Sequence, residues 1–454
     1  MSSPRVAIIG SGPSAYYTAE ELLKSGVAVD LLDRLPTPFG LVRAGVAPDH
    51  PKIKSITALF ERISQNPALR FHGNVEVGRD VTLPELASIY DAVVLACGAP
   101  ADASLNIPGE ELAGSHAAGA IVAWYNGHPD YRDYDVSLDT ERAVIVGNGN
   151  VALDVARILL TPVDQLRKTD IAEHAIEALS RSRIKHIHVI GRRGPVQTSF
   201  APQELRETLG IPGCDVFVAS EQLQLEQPCL DEMNDPKRDA ARRNFSLLQE
   251  AASRGPQGRC RSLHFQFRLS PTEIRGKDKV EAIAMTRNRL DGAAGSRVAT
   301  PTDQVVFIEC GLVIRSVGFR ARPMAGVPFD AGRGVVPNLE GRVLQDGAVL
   351  PRLYVAGWMK RGSNGVIGTN RACGVATARA ILADLPATQS TAAPADALAI
   401  RLAERKHDVV SYDGWQSIDA VERQNGLPKG KPREKLTSIA DLLAASRATL
   451  PSPG

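Results

Sequence analysis

The sequence predicts an α/β fold organised as two parallel-sheet domains. Three observations predict it. Gly10-Ser-Gly-Pro-Ser-Ala15 and Gly147-Asn-Gly-Asn-Val-Ala152 share one Gly-x-Gly-x-x-Ala spacing. Each follows a short, β-branched apolar run and opens a helix-like pattern. Strand and helix patterns then alternate along most of the chain, as parallel sheets require. Together these describe two Rossmann-like dinucleotide-binding domains, since the fingerprint tolerates Gly or Ala at its last position.

The elements follow in order. Val6–Ile9 reads as a buried strand that breaks at Gly10. Gly10 permits the tight turn, Gly12 lets backbone N–H groups approach a pyrophosphate, and the small Ala15 lets helix and strand pack closely. Val29–Asp33 is a second strand, ending in an acid placed to hold a ribose hydroxyl. Residues 34–51, rich in Pro and Gly, predict an extended loop of fixed shape where open α/β sheets place ligands. A helix over 53–64 and strands over Phe71–Val77 and Asp91–Gly98 follow. Ile107–Glu110 looks like a crossover.

The second fingerprint repeats the first. Ala143–Gly147 is its strand, with Gly147, Asn148, Gly149, Asn150, Val151 and Ala152 leading into a helix to Leu160. The next strand, His186–Gly191, ends on Arg192-Arg193 where a site for NAD offers an acid. Two guanidiniums there match the 2′-phosphate of NADP. Residues 214–310 are less legible: strands at 216–218, 263–267 and 305–308, with an amphipathic helix over Arg238–Arg254. Leu312–Gly318 resembles a strand leading back to the first domain. Arg352–Gly357 is another strand, and the glycine-rich turn 358–368 opens a helix over about 369–382. Residues 386–394 form a linker, and the remainder is helical with Thr437 or Ser438 as an N-cap.

Composition excludes several classes. The 53 basic and 51 acidic residues leave a net charge of +2, so no bulk attraction to nucleic acid or membrane is expected. No run of about 18 apolar residues exists. The first strand begins by Val6, so a cytoplasmic chain without a leader is expected. The six cysteines form no Cys-x-x-Cys pair, which argues against a redox disulfide, a metal site or an iron–sulfur cluster.

Two fingerprints, one with an acid and one with an arginine pair, imply two dinucleotides. The second is NADP. The first is FAD, because flavoproteins with two such domains commonly place it at the N-terminus.

The loop Pro38-Phe-Gly-Leu-Val-Arg-x-Gly-Val-Ala-Pro-Asp-His-Pro51 resembles the adrenodoxin reductase family of NADPH–ferredoxin reductases, including its bacterial members. So do Gly73–Val77, Gly147–Arg157, Gly191–Pro195, Glu204–Glu207 and Gly357–Gly362, nearly the whole chain. The resemblance implies a glutathione-reductase-like arrangement, with an NADP domain (106–322) inserted into a discontinuous FAD domain (1–105 and 323–454). It implies hydride passing from NADPH to FAD and single electrons from the flavin to an acidic [2Fe–2S] ferredoxin, with a cytochrome P450 as a possible terminal acceptor. FAD would contact Ser14, Asp33, Leu41, Val77, Trp358, Gly365, Val366 and Ile367; NADP would contact Asn148–Val151, Arg192, Arg193, Glu204 and Gly365. His50 and Glu204 are the proton-handling candidates. Arg206, Arg238 and Arg242, the last two one helical turn apart, are expected to dock the ferredoxin, beside a basic stretch holding Arg181, Arg183 and Lys185. A monomer is expected.

Two departures stand out. Family members often read Gly-Pro-Thr-Gly where this chain has Gly362-Ser-Asn-Gly365, and Ala-Phe-Thr where it has Ser199-Phe-Ala201. Two rival readings remain at this stage. One is a flavoenzyme with a small-molecule acceptor, for which the disulfide pair, an N-terminal cysteine cluster and the Phe-x-Gly-x-x-x-His signature are all missing; Leu112 stands where the glycine of that signature would precede His116. The other is a non-catalytic nucleotide-sensing module.

Overall fold

β1 (Arg5–Ile9) is buried at every position because its alternate side chains enter two different cores. Val6 and Ile8 join Tyr16, Leu31 and Phe60 on one side; Ala7 and Ile9 join Leu86, Val93 and Val355 on the other. In the computed structural model the described residues are 3–365, 367–385 and 392–448; Val366 and most of the expected linker lie outside them. The chain divides into two compact units. Unit 1 takes residues to Ala101, Asn126–Arg132 and those from Gly318 on; unit 2 takes Asp102–Tyr125 and Asp133–Val317.

Unit 1 is built on a seven-stranded sheet. β1 pairs in parallel with β2 (Ala28–Leu32) on one side and β4 (Ala92–Leu95) on the other, while β3 (Leu69–His72) flanks β2. Ala348–Val355 returns from late in the chain to lie parallel beside β4, and carries two antiparallel edge strands. The strand order therefore reverses at β1, which opens a ligand crevice beyond its carboxyl end. Beneath the sheet, Asp30 is 2% exposed and accepts from Arg5, Arg70 and His72 at 2.7 to 2.9 Å.

α1 (Pro13–Lys24) starts on Gly12 with proline in its first turn, where a missing N–H costs nothing. It buries Ala15, Tyr16, Ala19 and Leu22. Tyr16 stacks on Phe60 at 4.7 Å and packs near Phe39, which meets Trp415 edge-on at 5.6 Å. Buried Glu422, on the C-terminal helix Tyr412–Gly426, accepts from Arg43 at 2.5 and 2.9 Å. The loop after β2 is thus shaped by the far end of the chain. It is not extended throughout as expected: Leu41–Ala44 and Pro51–Lys54 are single helical turns.

Unit 2 holds a six-stranded, wholly parallel sheet in the order Ser115–Ala117, Leu312–Arg315, Arg142–Val146, His186–Gly191, Arg261–Phe267, Cys214–Val218. Leu312–Arg315 is an interior strand of this sheet, and the chain returns from it to unit 1 at Gly318 as expected. A three-stranded antiparallel sheet (Leu269–Arg275, Ala282–Asp291, Val298–Glu309) packs Ile274, Ile283 and Met285 against Val144, Val146 and Ile190. Its first two strands were not anticipated, because Pro271 and interleaved charges mask the alternation. The strand expected over Phe71–Val77 ends at His72, where Gly73 turns away to bridge Val410. Among the described residues no helix is long and apolar enough to cross a membrane.

Candidate functional site

The first cradle is built where β1 ends. Gly10 has φ +106°, and a Cβ there would lie 2.5 Å from the Ala96 carbonyl oxygen, so no side chain fits. Its N–H donates to Leu32 O at 2.7 Å. Two residues on, Gly12 caps α1 with nothing within 4 Å of a would-be Cβ. Backbone donors of the helix N-terminus therefore face open space, with Ala15 fully buried below.

Chain from far away walls this cradle. Gly357 comes so close that a Cβ would overlap Ser14 Oγ. The helix Ile367–Asp384 lies along α1, and a Cβ at Gly374 would sit 2.9 Å from Thr18 N. Asp33 stands just past β2. Its Oδ2 accepts from Ser11 N–H at 3.0 Å and from Ser11 Oγ at 2.5 Å, and its Oδ1 from Leu35 N–H at 3.0 Å. Burial pushes this carboxyl up, opposed by the Ser11 hydrogen bonds. The acid expected for a ribose first holds the cradle's own loop, and keeps a second lone pair on Oδ1.

Other expected flavin contacts spread around the same unit. Leu41 is 48% exposed, unusual for a leucine in a shaped loop, and Val77 is half-buried. Trp358 stacks on Phe319 at 5.8 Å and 17°, and its indole N–H is buried with no hydrogen-bond partner among the described residues. Gly365 (φ +87°) is exposed, Ile367 begins the following helix, and Val366 lies outside the described residues. The turn without Pro and Thr is held by other means. Ser363 Oγ donates to Phe319 O at 2.8 Å and accepts from Phe319 N–H at 3.2 Å. Arg361 reaches Asn364 O, Thr369 Oγ1 and Asn370 Oδ1. Phe319 and Ser363 were missed from sequence, since no spacing rule links residues 44 apart; the only signal was the departure at Ser363. His50 is buried at the head of Pro51–Lys54.

In unit 2, Gly147 has φ +133° and a Cβ would collide with the Ser316 carbonyl. Gly149 caps the helix Asn150–Leu160 with open space before it. Asn148 O accepts from Ser199 N–H at 3.0 Å, and Asn150 Oδ1 from Ala201 N–H at 2.7 Å. Val151 is half-buried in the first turn. Beyond His186–Gly191, Arg192 is exposed and Arg193 half-buried, and neither guanidinium has a hydrogen-bonded or ion-paired partner among the described residues. Burial and the neighbouring Arg192 push Arg193 below the usual guanidinium value. An uncompensated cation pair beside an open helix N-terminus is an anion site.

Glu204, on Pro202–Leu209, is 8% exposed, with Oε2 3.5 Å from Arg157 Nη1; Arg157 also pairs with Asp154 at 2.7 Å. His50 belongs to unit 1 and Glu204 to unit 2. The basic face is thinner than expected. The helix begins at Asp239, not Arg238, which lies in the preceding 3-10 turn and bonds to buried Glu232. Arg242 is ion-paired with Asp239 at 3.6 Å. Arg206 is exposed and carries no ion pair among the described residues.

Both cradles fit a dinucleotide. In unit 1 the open space before Gly12, at the N-terminus of α1, suits a pyrophosphate. In unit 2 the free arginine pair suits a phosphate.

Comparison with known proteins agrees. The family described as pyridine nucleotide-disulphide oxidoreductase matches residues 4–209. The NADPH-ferredoxin reductase FprA of Mycobacterium tuberculosis is 46% identical over 453 residues, covering 96% of this chain and 98% of its own. The mitochondrial NADPH:adrenodoxin oxidoreductase of Arabidopsis thaliana is 42% identical, covering 97% and 95%. The solved structure of M. tuberculosis FprA in complex with NADPH superposes with a TM-score of 0.92 at 43% identity, over 98% of this chain and all of that one.

Proposed function

We propose a function from one premise: the chain belongs to the adrenodoxin reductase family of NADPH–ferredoxin reductases. It is an FAD-dependent oxidoreductase that takes electrons from NADPH and delivers them to a ferredoxin. FAD, when bound, supplies the conversion of a two-electron hydride into single electrons.

The protein's own part is positioning. Gly10, Gly12, Ser14 and Ala15 would admit the FAD pyrophosphate at the N-terminus of α1, and Asp33 would take the ribose through the remaining lone pair of Oδ1. Leu41, Val77, Trp358, Gly365 and Ile367 would contact the FAD; the further contact expected at Val366 lies outside the described residues. Gly147–Val151 admit the NADP pyrophosphate, and Arg192 and Arg193 grip the 2′-phosphate. His50 and Glu204 hold or exchange the proton that accompanies electron transfer. The observation that carries this reading is the contrast between the cradles: a carboxylate bound into one, an unpaired arginine pair beside the other.

We assign the FAD domain to 1–105 and 323–454, and the NADP domain to 106–322. Arg206 is the leading cation for an acidic [2Fe–2S] ferredoxin, with Arg238 and Arg242 as flanking charges. A monomer in the cytoplasm, feeding a cytochrome P450 through the ferredoxin, completes the proposal.

The test is direct. The purified protein should be yellow, its flavin band should bleach anaerobically on adding NADPH, and it should then reduce a [2Fe–2S] ferredoxin. NADPH consumption that follows an organic acceptor without any ferredoxin would refute it.

A further inference from the structure

Ser363 lies in the Gly357–Gly365 turn. Its hydroxyl satisfies both backbone groups of one residue, Phe319, at 2.8 and 3.2 Å. The position of Phe319 in the chain matters. Unit 2 ends at Val317 and unit 1 resumes at Gly318, so the hydroxyl closes on the second residue of that return. The Phe319 ring stacks on Trp358. Among the described residues the Trp358 N–H has no hydrogen-bond partner, and the indole is held by its packing on Phe319.

A proline at 363 would do half of this work. Asn364 N–H closes on Gly362 O at 2.9 Å, a three-residue turn centred on position 363. Proline suits the centre of such a turn, and Gly362, a glycine at φ +82° and ψ 170°, tolerates a following proline. Proline has no group that reaches Phe319.

We propose that Ser363 is a positioning residue: it fastens the chain's return into unit 1 onto the Gly357–Gly365 turn and so sets Trp358 where FAD meets it. The inference rests on the reading that FAD lies against Trp358. It adds a residue whose hydroxyl, rather than a ring, holds the turn and the returning strand together.

Ser363→Ala, Ser363→Thr and Ser363→Pro in the full-length, FAD-loaded protein test it. Amide hydrogen exchange at Phe319 should be slow in the wild type and in Ser363→Thr. It should be about tenfold faster in Ser363→Ala and Ser363→Pro, as expected for two lost hydrogen bonds. The flavin's visible band should shift in Ser363→Ala and return in Ser363→Thr, a signature that general destabilisation does not produce. Unchanged exchange in Ser363→Ala overturns the proposal, as does full protection of Phe319 in Ser363→Pro or a flavin band identical in all variants. A wild type that binds no FAD would refute the functional reading instead, while the exchange measurement would still decide whether the hydroxyl holds Phe319.

Discussion

In unit 1 the helix that begins at Gly12 has the late segment Gly357–Asp384 packed against it. In unit 2 the helix that begins at Gly149 meets the amides of Ser199 and Ala201, and Ser316 closes on Gly147. The acid of the first cradle is already hydrogen-bonded to Ser11 and Leu35, whereas the guanidiniums of the second carry no such partner among the described residues. One fingerprint spacing therefore supports two kinds of site. A wall contributed from more than 300 residues away suits a cofactor that stays. Unpaired guanidiniums on an open rim suit an anion that comes and goes.

The sharpest way to break this comparison is at the glycines. Gly10→Ala and Gly147→Ala each drive a methyl into a carbonyl at a φ that L-residues rarely adopt. We expect Gly10→Ala to lack flavin, and Gly147→Ala to stay yellow but resist bleaching by NADPH. Each loss of affinity should be about a hundredfold or more. Flavin content and an NADPH titration measure both; a Gly147→Ala protein that loses flavin but still binds NADPH would reverse the assignment of the cradles.

Next in size is the buried ion cluster under the first sheet. Burial raises the Asp30 carboxyl, but hydrogen bonds from His72 and Arg70 outweigh it and hold it well below its ordinary value of 3.8. Asp30→Asn should cost about 3–5 kcal/mol at neutral pH, because it strands buried positive charge. The stabilisation is fully present above that ordinary value and is lost as pH falls through the lower folded-state value. The gap between wild type and Asp30→Asn in urea denaturation should therefore narrow as pH drops below 3.8. A pH-independent gap would show that Asp30 is not ionised in the fold.

The arginine pair sharpens the other side. Arg192→Ala combined with Arg193→Ala should raise KM for NADPH about a hundredfold, by losing charge-assisted hydrogen bonds, while leaving NADH and flavin content nearly unchanged. Equal losses for NADPH and NADH would place the 2′-phosphate elsewhere. The smallest effect belongs to the partner surface. Arg206→Ala should raise KM for ferredoxin a few-fold at low salt and flatten its salt dependence. Arg238→Ala should do less to ferredoxin binding, since its charge is already met by Glu232, and more to stability, which thermal unfolding would reveal.

Local pattern determined a good deal. Strand Val6–Ile9, helix Asn150–Leu160, strand His186–Gly191 and the Ser438 cap could be read because each is governed by neighbours in sequence: apolar periodicity, a breaking glycine, a hydroxyl three residues before an amide. The fingerprints, the acid and the arginine pair followed from spacing for the same reason. Tertiary structure alone decided the rest. It tied Asp33 to Ser11 and Arg238 to Glu232, brought Gly357 onto Ser14, and set Phe319 between Ser363 and Trp358. A side chain's charge and hydrogen-bonding capacity are written in the sequence. Whether that capacity is spent inside the fold or left for a ligand depends on which distant segments meet it, and only packing determines that.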